Sequence, residues 1–487
     1  MTGRAVPSEL RVMAEQCTGR GVRGVVAAAA PMAASIGADA LRAGGNAFDA
    51  AVAAALAETV LLPPKCGLGG DLVAIRLTAG ASEPDALLAI GGAPAGLADV
   101  ARRGAWREVG PSSVGPPAAP AGYVALASLG RLPLARLAAP AIELAVGGFP
   151  WAAVCTRLSE QSVALVAEMN PEGCVYFPEG EVIQPGTVVR LPGLARALEE
   201  LVSRGDQLLA GPLGAAVVRA VRARGGVLSD DDLAAARAQW APCATGRAGP
   251  FTAWATPAPT HGPSLLDAAA DARPGDPPAV VYRRVLASIA ARRAALSDPG
   301  GTSMVSAADA DGNAVVVVHS NSFPRFGSGI VVPEYDLVLA NRAGRGFTPE
   351  PGHPNFPVAG RRPATTLHAW AVADETGAPT FIGATPGGAN QMPWNAQSVQ
   401  RIVDGCGEPG MLVASPLWEW LPDDDGARVE GGMTPDEVEG LRAVAPRVTT
   451  VGRWGCKSAQ QVVRMGHRGG ALVAAADPRT VGLALGV

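Results

Sequence analysis

The chain has 487 residues, with 40 Lys and Arg against 44 Asp and Glu, for a net charge of -4. This balance gives no electrostatic reason to expect nucleic acid or an anionic membrane as a partner. Seven cysteines, odd in number and without a CxxC pair, argue against a disulfide framework and favour a reducing compartment. Residues 1–16 lack the pattern of a signal peptide, so the sequence predicts a cytoplasmic protein. Its apolar stretches are too short to cross a bilayer, so no membrane span is predicted.

The first part of the chain is predicted to be mainly helical. A helix over 31–42 starts at a proline, and Asn46 is well placed to cap a second helix over 47–59. Buried strands are predicted over 72–77 and 86–90. Further helices are predicted over 132–146, 151–169, 191–204 and 280–296. In the last of these, Arg283, Arg284, Arg292 and Arg293 are expected to form a solvated stripe.

Strand patterns dominate after residue 302. They are predicted over 304–308, 314–319, 329–332, 337–340, 366–372 and 379–382, followed by a helix over 392–403. A turn, Asp-Ala-Asp-Gly-Asn at 309–313, separates the first two of these strands.

The junction Gly300-Gly301-Thr302 places a threonine at the start of a strand, directly after two glycines. Cleavage between Gly301 and Thr302 would give one residue both a nucleophilic hydroxyl and a free α-amine. That amine could act as the general base, because its pKa of about 7.7 to 8.0 is close to working pH. No catalytic histidine would then be needed.

Several runs together carry a resemblance to the gamma-glutamyltransferase (gamma-glutamyltranspeptidase) family over nearly the whole chain. They are GGNAFDAAVAAALA at 44–57, CGLGGD at 66–71, the segment from Thr302 through DADGNAV at 309–315, FGSG at 326–329, PGG at 386–388 and ADPR at 476–479. The runs at 327–333, 341–342 and 353–355 are more similar to the acylase-like branch of the family.

The resemblance implies an α+β fold, the four-layer αββα sandwich of the N-terminal nucleophile (Ntn) hydrolases. It also implies self-cleavage before Thr302 into a large part, residues 1–301, and a small part, residues 302–487, which form one intertwined domain. The Thr302 hydroxyl would attack a carbonyl and form an acyl-enzyme. Gly387 and Gly388 match the family's oxyanion-hole glycines, and Ser320 matches the hydroxyl beside the nucleophile, expected to orient Thr302.

The expected substrate-binding residues depart from the glutamyl pattern. Ile90 stands where the family places an arginine for the α-carboxylate, and this exchange removes charge-assisted contacts worth roughly 1.5 to 3 kcal/mol. The acidic residue that would contact an α-amine is absent from 341–347, whereas the paired hydroxyls are retained as Thr365 and Thr366. A non-glutamyl acyl group is therefore expected, with Arg342 or Arg345 available to bind an acidic group.

Alternatives remain open at this point. The same nucleophile would serve a carbon-carbon bond hydrolase of a natural-product biosynthetic pathway, or a true gamma-glutamyl hydrolase or transpeptidase. An unprocessed binding protein is the non-enzyme alternative. The five histidines show no metal-ligand spacing, so no metal or other cofactor is predicted, and His319 is expected to form a wall of the site. The expected partners are a small amide or acyl substrate and the two parts themselves.

Overall fold

The computed structural model describes residues 7–293, 302–423, 426–466 and 470–487. The helices in the described ranges are α1 Ser8–Gln16, α2 Pro31–Arg42, α3 Ala47–Leu61, α4 Leu97–Arg102, α5 Ala119–Ala127, α6 Leu134–Gly147, α7 Ala153–Ser159, α8 Val163–Met169, α9 Pro192–Arg204, α10 Pro212–Arg222, α11 Asp230–Ala235, α12 Gly262–Ala269, α13 Pro278–Arg293, α14 Arg342–Gly346, α15 Gln391–Val403, α16 Pro409–Ala414 and α17 Pro435–Arg442.

The strands in the same ranges are β1 Thr18–Gly21, β2 Gly24–Ala28, β3 Asp71–Leu77, β4 Asp85–Ala89, β5 Phe149–Pro150, β6 Val188–Val189, β7 Gln239–Pro242, β8 Ala244–Ala248, β9 Phe251–Ala255, β10 Ser303–Asp309, β11 Ala314–Ser320, β12 Val331–Val332, β13 Leu337–Val338, β14 Ala369–Ala373, β15 Pro379–Ala384, β16 Trp418–Leu421, β17 Gly426–Glu430, β18 Val448–Val451, β19 Gln461–Arg464, β20 Leu472–Ala476 and β21 Leu483–Gly486.

Two seven-stranded antiparallel sheets form the centre of the molecule. One has the order β1-β20-β19-β15-β14-β9-β8 and the other the order β21-β2-β10-β11-β3-β4-β7. Apolar side chains from both sheets, among them Ile75, Val316, Ile382 and Val463, pack together in a shared core. This arrangement confirms the sandwich expected from the sequence.

Helices cover the outer face of each sheet. On the sheet that contains β10, the alanine-rich helix α3 is buried along its whole length and packs against strand residues such as Val305 and Val317. On the other sheet, α12 packs against β8 and β9 and α15 packs against β8 and β15, while α13 packs on α12 and α15. The layers therefore follow the order helix, sheet, sheet, helix. Among the described residues, no helix is both long and apolar enough to cross a membrane.

The second sheet combines segments from both sides of residue 302. Strands β10 and β11 form a hairpin, with β2 paired to the outer side of β10 and β3 to the outer side of β11. The hairpin that starts at β10 therefore lies in the middle of a sheet, between two strands, β2 and β3, that come from the first ninety residues.

Several predicted elements differ in detail. The predicted helix 151–169 is two helices, α7 and α8, because Ser162 adopts φ -129° and its hydroxyl donates to the Arg325 carbonyl. The predicted strands 329–332 and 337–340 shrink to the short pair β12 and β13, and the predicted strand 366–372 begins at Ala369.

The predicted solvated arginine stripe is wrong for Arg292. This side chain is buried and donates to the carbonyls of Pro259, Thr260 and Thr365, so three tertiary acceptors replace solvent. The described part of α13 ends at Arg293, and residues 294–296 of the predicted helix lie outside the described residues.

Candidate active site

Thr302 lies immediately before β10 and is only 1% exposed. Its Oγ accepts a hydrogen bond of 2.7 Å from the side-chain amide of Gln391, the first residue of α15. Gly301, the residue expected on the other side of the cleaved bond, lies outside the described residues. The proposed nucleophile is therefore held in a buried position by a partner that the sequence did not identify.

The strand register places Ser320 beside Thr302. Ser303 is opposite His319 across the β10–β11 pair, so the next step of the same register sets Thr302 opposite Ser320. Side chains alternate between faces along a strand. Met304 and Val318 belong to the core between the sheets, so Thr302 and Ser320 face that side, while Ser303 and His319 face the helices.

Ser320 is bound from two directions. Its Oγ accepts from the backbone N–H of Ser322 at 2.8 Å and from Nη2 of Arg342 at 3.4 Å. Ser320 also pairs with Asp71 across β11 and β3. The structure thus brings the expected orienting hydroxyl and one of the two candidate arginines into contact.

Arg342 and Asp71 form a buried ion pair, with 2.8 Å between Nε and the carboxylate. Burial raises the pKa of Asp71 and lowers that of Arg342, and the attraction between the two opposes both changes. Arginine is effectively always protonated in proteins, so the guanidinium stays charged. Nη1 of Arg342 is buried and has no hydrogen-bond partner among the described residues.

The Pro-Gly-Gly segment at 386–388 lies in the connection from β15 to α15, and two residues separate it from Gln391. Gly387 has φ 144° and Gly388 has φ 62°, values that other residues rarely adopt. A Cβ on Gly387 would also lie 2.2 Å from Trp394 Cζ3. Glycine at 387 is therefore required by both backbone conformation and space, and the loop that contains it leads directly into the helix whose first residue, Gln391, contacts Thr302.

The remaining expected binding residues differ in setting. Thr365 and Thr366 are fully buried just before β14, where Thr365 Oγ1 accepts from the Leu367 N–H. Ile90 is buried in the apolar core between the sheets. Arg345 is partly exposed, donates to Glu108 at 2.7 Å and stacks over Phe323.

A buried polar network lies on the opposite face of the sheet from Thr302. Glu58 accepts from the N–H of Ala29 at 2.6 Å, from the hydroxyl of Ser303 at 2.7 Å, and contacts His319 Nε2 at 2.9 Å. The other nitrogen of His319 lies 2.7 Å from the hydroxyl of Tyr123. His319 thus faces the helices instead of forming the expected wall, because the strand alternation turns it away from Thr302.

Three groups of this network could also hold a metal ion. Ligand atoms of Glu58, Cys66 and His319 lie within 4.8 Å of one another, and all three residues are buried. The sequence predicted no metal site, because His319 lies 261 residues from Glu58 in the chain and the histidines show no metal-ligand spacing. The short contacts of Glu58 with Ser303 and His319 already satisfy its carboxylate with hydrogen bonds.

The cysteines lack the environment of a thiol nucleophile. A catalytic thiol needs a lowered pKa. Burial instead raises the pKa of all seven cysteines, to about 12 for Cys17, Cys155 and Cys243.

A cleft of about 960 Å³ lies away from Thr302. Arg219 and Glu334, which form an ion pair of 2.8 Å, are on its wall together with Asn170 and Asp336. Neither Thr302 nor the glycine segment at 387–388 lines it.

The four-layer fold is that of the Ntn-hydrolase class of enzymes, and the comparisons with known proteins agree with this class. The family model for gamma-glutamyltranspeptidase matches residues 33–270 and 276–487. The chain therefore belongs to the gamma-glutamyltranspeptidase family.

Two full-length relatives and one solved structure illustrate this membership. The glutathione hydrolase-like YwrD proenzyme of Bacillus subtilis is 26% identical over 91% of this chain and 94% of its own length. The oxamate amidohydrolase proenzyme of Klebsiella pneumoniae is 27% identical over 92% and 95%. The crystal structure of cephalosporin acylase from Bacillus halodurans superposes with a TM-score of 0.85 at 26% identity, covering 100% of this chain and 99% of that chain.

Proposed function

We propose that the protein is a threonine-dependent Ntn hydrolase or acyltransferase that cleaves itself before Thr302 and acts on a non-glutamyl acyl substrate. The mature enzyme would consist of residues 1–301 and 302–487. The observation that carries the proposal is the setting of Thr302, a buried hydroxyl at the start of a central strand that accepts from Gln391 at 2.7 Å.

The chemistry follows from what surrounds that hydroxyl. After cleavage, the Thr302 amine takes the proton of its own Oγ as the oxygen attacks the substrate carbonyl. Negative charge then develops on the carbonyl oxygen, and the N–H groups of the segment at 387–388 are the candidate donors for it. Collapse of this intermediate breaks the scissile bond, and the substrate's amine leaves with the proton that the Thr302 amine had taken, so the acyl group stays on the Thr302 oxygen. Water or an acceptor amine would then attack the acyl carbon and release the threonine oxygen, which regains its proton.

Arg342 supports an acyl group that carries an acidic or carbonyl oxygen close to the scissile bond. Two of its nitrogens are held by Asp71 and Ser320, while the buried Nη1 has no partner among the described residues. Since Ser320 lies opposite Thr302 in the register, Nη1 would donate to a substrate near the reacting carbon. The relative named oxamate amidohydrolase acts, by its name, on an amide next to a carboxylate.

A glutamyl substrate has less support. Ile90 replaces the expected arginine and packs in the apolar core between the sheets, so it offers no charge for an α-carboxylate. The relatives include an acylase from a Pseudomonas strain, 34% identical over 47% of this chain and 44% of its own length, which is consistent with acyl groups other than glutamyl.

The experiment is denaturing gel electrophoresis of the purified protein beside Thr302→Ala. The wild type should give two bands of about 30 and 19 kDa, in proportion to their shares of the 49.1 kDa chain, and the variant one band. Intact-mass measurement after incubation with a panel of short amides and activated esters, oxamate and gamma-glutamyl amides included, should then reveal an adduct on the small part. An uncut, unreactive wild type would refute the proposal, and an adduct with gamma-glutamyl amides alone would refute its substrate class.

A further inference from the structure

We infer that Glu58 is a positioning residue for Thr302, acting through a hydrogen-bonded network on the helix side of the sheet. The inference rests on the proposed role of Thr302 as the nucleophile. Glu58 belongs to α3, is fully buried, and does not contact Thr302 through any hydrogen bond of the described residues.

The Glu58 carboxylate forms hydrogen bonds to residues of three neighbouring strands, at the end of the sheet where Thr302 precedes β10. The N–H of Ala29 follows β2, the hydroxyl of Ser303 starts β10, and His319 lies near the end of β11. These strands are adjacent in the sheet, in the order β2-β10-β11. Because Ser303 follows Thr302 directly, its anchored side chain fixes the backbone that carries the nucleophile.

The protons of the network can be assigned from its donors and acceptors. The N–H of Ala29 and the hydroxyl of Ser303 both donate to Glu58, so the carboxylate acts as acceptor in these two contacts. We assign to His319 the tautomer that fits this acceptor, with the proton on the Nε2 atom that lies 2.9 Å from the carboxylate. In that tautomer Nδ1 accepts from the hydroxyl of Tyr123, which lies 2.7 Å away. Every group faces a complementary partner, which favours one rigid arrangement.

The two faces of the sheet thus have separate tasks. On the core side, Thr302 meets Gln391, and Ser320 meets Arg342. On the helix side, Glu58 holds Ser303 and His319, each one residue away from those two side chains. Loss of the network would let the strand ends shift and misplace the attacking oxygen.

The test compares Glu58→Gln and Ser303→Ala with the matched control Ser306→Ala. Ser306 is also a buried serine of β10, but its hydroxyl donates to Gln461 of the other sheet, at 3.2 Å. The first-order rate of self-cleavage, followed after pulse-labelled translation, should fall ~10- to 100-fold in the first two variants, since displacement by about 1 Å can cost that much. The control should cleave at a rate near that of the wild type.

A second readout does not depend on activity. In an uncleavable Thr302→Ala background, amide hydrogen exchange at residues 302–309 should be faster with Glu58→Gln than with Ser306→Ala. The midpoint of thermal unfolding is measured for each variant, so that a general loss of stability is distinguished from a local change at β10. The inference would be overturned if Glu58→Gln left the exchange rate of residues 302–309 the same as in the Thr302→Ala parent. It would also be overturned if Glu58→Gln slowed cleavage only in proportion to a loss of folded protein. A stoichiometric metal ion lost on Glu58→Gln would overturn it too, because Glu58 would then be a ligand.

The two proposals fail in different ways. If the wild type neither cleaves nor forms an adduct, the proposed function is wrong, and the exchange measurement still decides whether Glu58 anchors β10. If the wild type cleaves and Glu58→Gln cleaves equally fast, the positioning role alone is wrong.

Discussion

The buried pair of Arg342 and Asp71 shows how one residue can serve both stability and substrate binding. The guanidinium uses Nε for Asp71 and Nη2 for Ser320, which leaves Nη1 directed into buried space. A charge kept in such a position is costly unless it is paired. The pairing with Asp71 is what allows a cation to stay beside the proposed nucleophile.

Replacement of Arg342 should therefore destabilise the protein strongly. In a Thr302→Ala background, Arg342→Met should lower the free energy of unfolding by about 3 to 5 kcal/mol, because Asp71 is left buried and unpaired. The matched change Arg345→Met, which breaks a partly exposed pair with Glu108, should cost less than about 1 kcal/mol. Urea denaturation measures both, and the double variant Asp71→Asn with Arg342→Met should recover part of the loss. Equal losses for the two single variants would contradict this assignment.

Gln391 is expected to orient the Thr302 hydroxyl. Gln391→Leu removes the donor at 2.7 Å and should slow self-cleavage and acylation ~10- to 100-fold through misorientation of the attacking oxygen. Gln400→Leu is the control, because Gln400 lies on the same helix but donates to Arg273 and Asp404. The time course on denaturing gels provides the measurement, and an unchanged rate in Gln391→Leu would remove this residue from the site.

At the scale of elements, helix α3 connects the site to the rest of the fold. It is apolar all round and buried on every side, as expected of a central helix. Its first turn is closed by Asn46 and Asp49 in a capping box, and the N–H of Ala47 donates to Asp309 at the end of β10. Near its other end it carries Glu58. One helix thus contacts both ends of the strand that starts at Thr302.

Removal of the cap should weaken α3 and lower the stability of the fold. Asn46→Ala should lower the free energy of unfolding by about 0.5 to 2 kcal/mol, the usual cost of losing a helix cap. Asn46→Ser should retain most of the stability, since serine also caps. Chemical denaturation in the Thr302→Ala background separates the two, and the idea fails if serine is as costly as alanine.

Gly387 should tolerate no side chain. Gly387→Ala meets Trp394 as well as an unfavourable φ, and should reduce turnover ~100- to 1,000-fold if its segment supplies an oxyanion donor. Gly405→Ala is the matched control, because Gly405 also has a positive φ of 86° but nothing within 4 Å of the added Cβ. We expect the control to lose only ~1 to 2 kcal/mol of stability and to keep its turnover, which kinetic assays and thermal unfolding can verify.

For the whole molecule, the interleaved sheet predicts that the two parts stay together after cleavage. Strands β10 and β11 of the small part lie between β2 and β3 of the large part, so separation would expose backbone hydrogen-bonding groups along both borders. Native mass spectrometry should find one particle that contains both parts and has the summed mass of about 49.1 kDa. Urea should be needed to separate them. Free large or small parts in native buffer would contradict the expectation.

Local patterns predicted much of this architecture. Helices α2 and α3 lie within two residues of their expected ends, and the turn at 309–313 connects two strands as the sequence indicated. Some signals act only on neighbouring residues and can therefore be recognised in the sequence itself. They are a proline at the first helical position, an asparagine cap and runs of β-branched residues. The prediction of one helix over 151–169 was wrong because its break depends on Arg325, more than 160 residues away.

Sequence alone determined the layered fold class, the threonine at the strand start and the glycines of the loop at 387–388. The assignment of those residues to catalysis stays a prediction. Tertiary structure alone decided which side chains meet. Gln391 reaches Thr302 across 89 residues, Glu58 reaches Ser303 across 245, and Arg342 reaches Asp71 across 271. No periodicity encodes such pairs, because they form only when sheet register and helix packing bring distant segments within hydrogen-bonding distance.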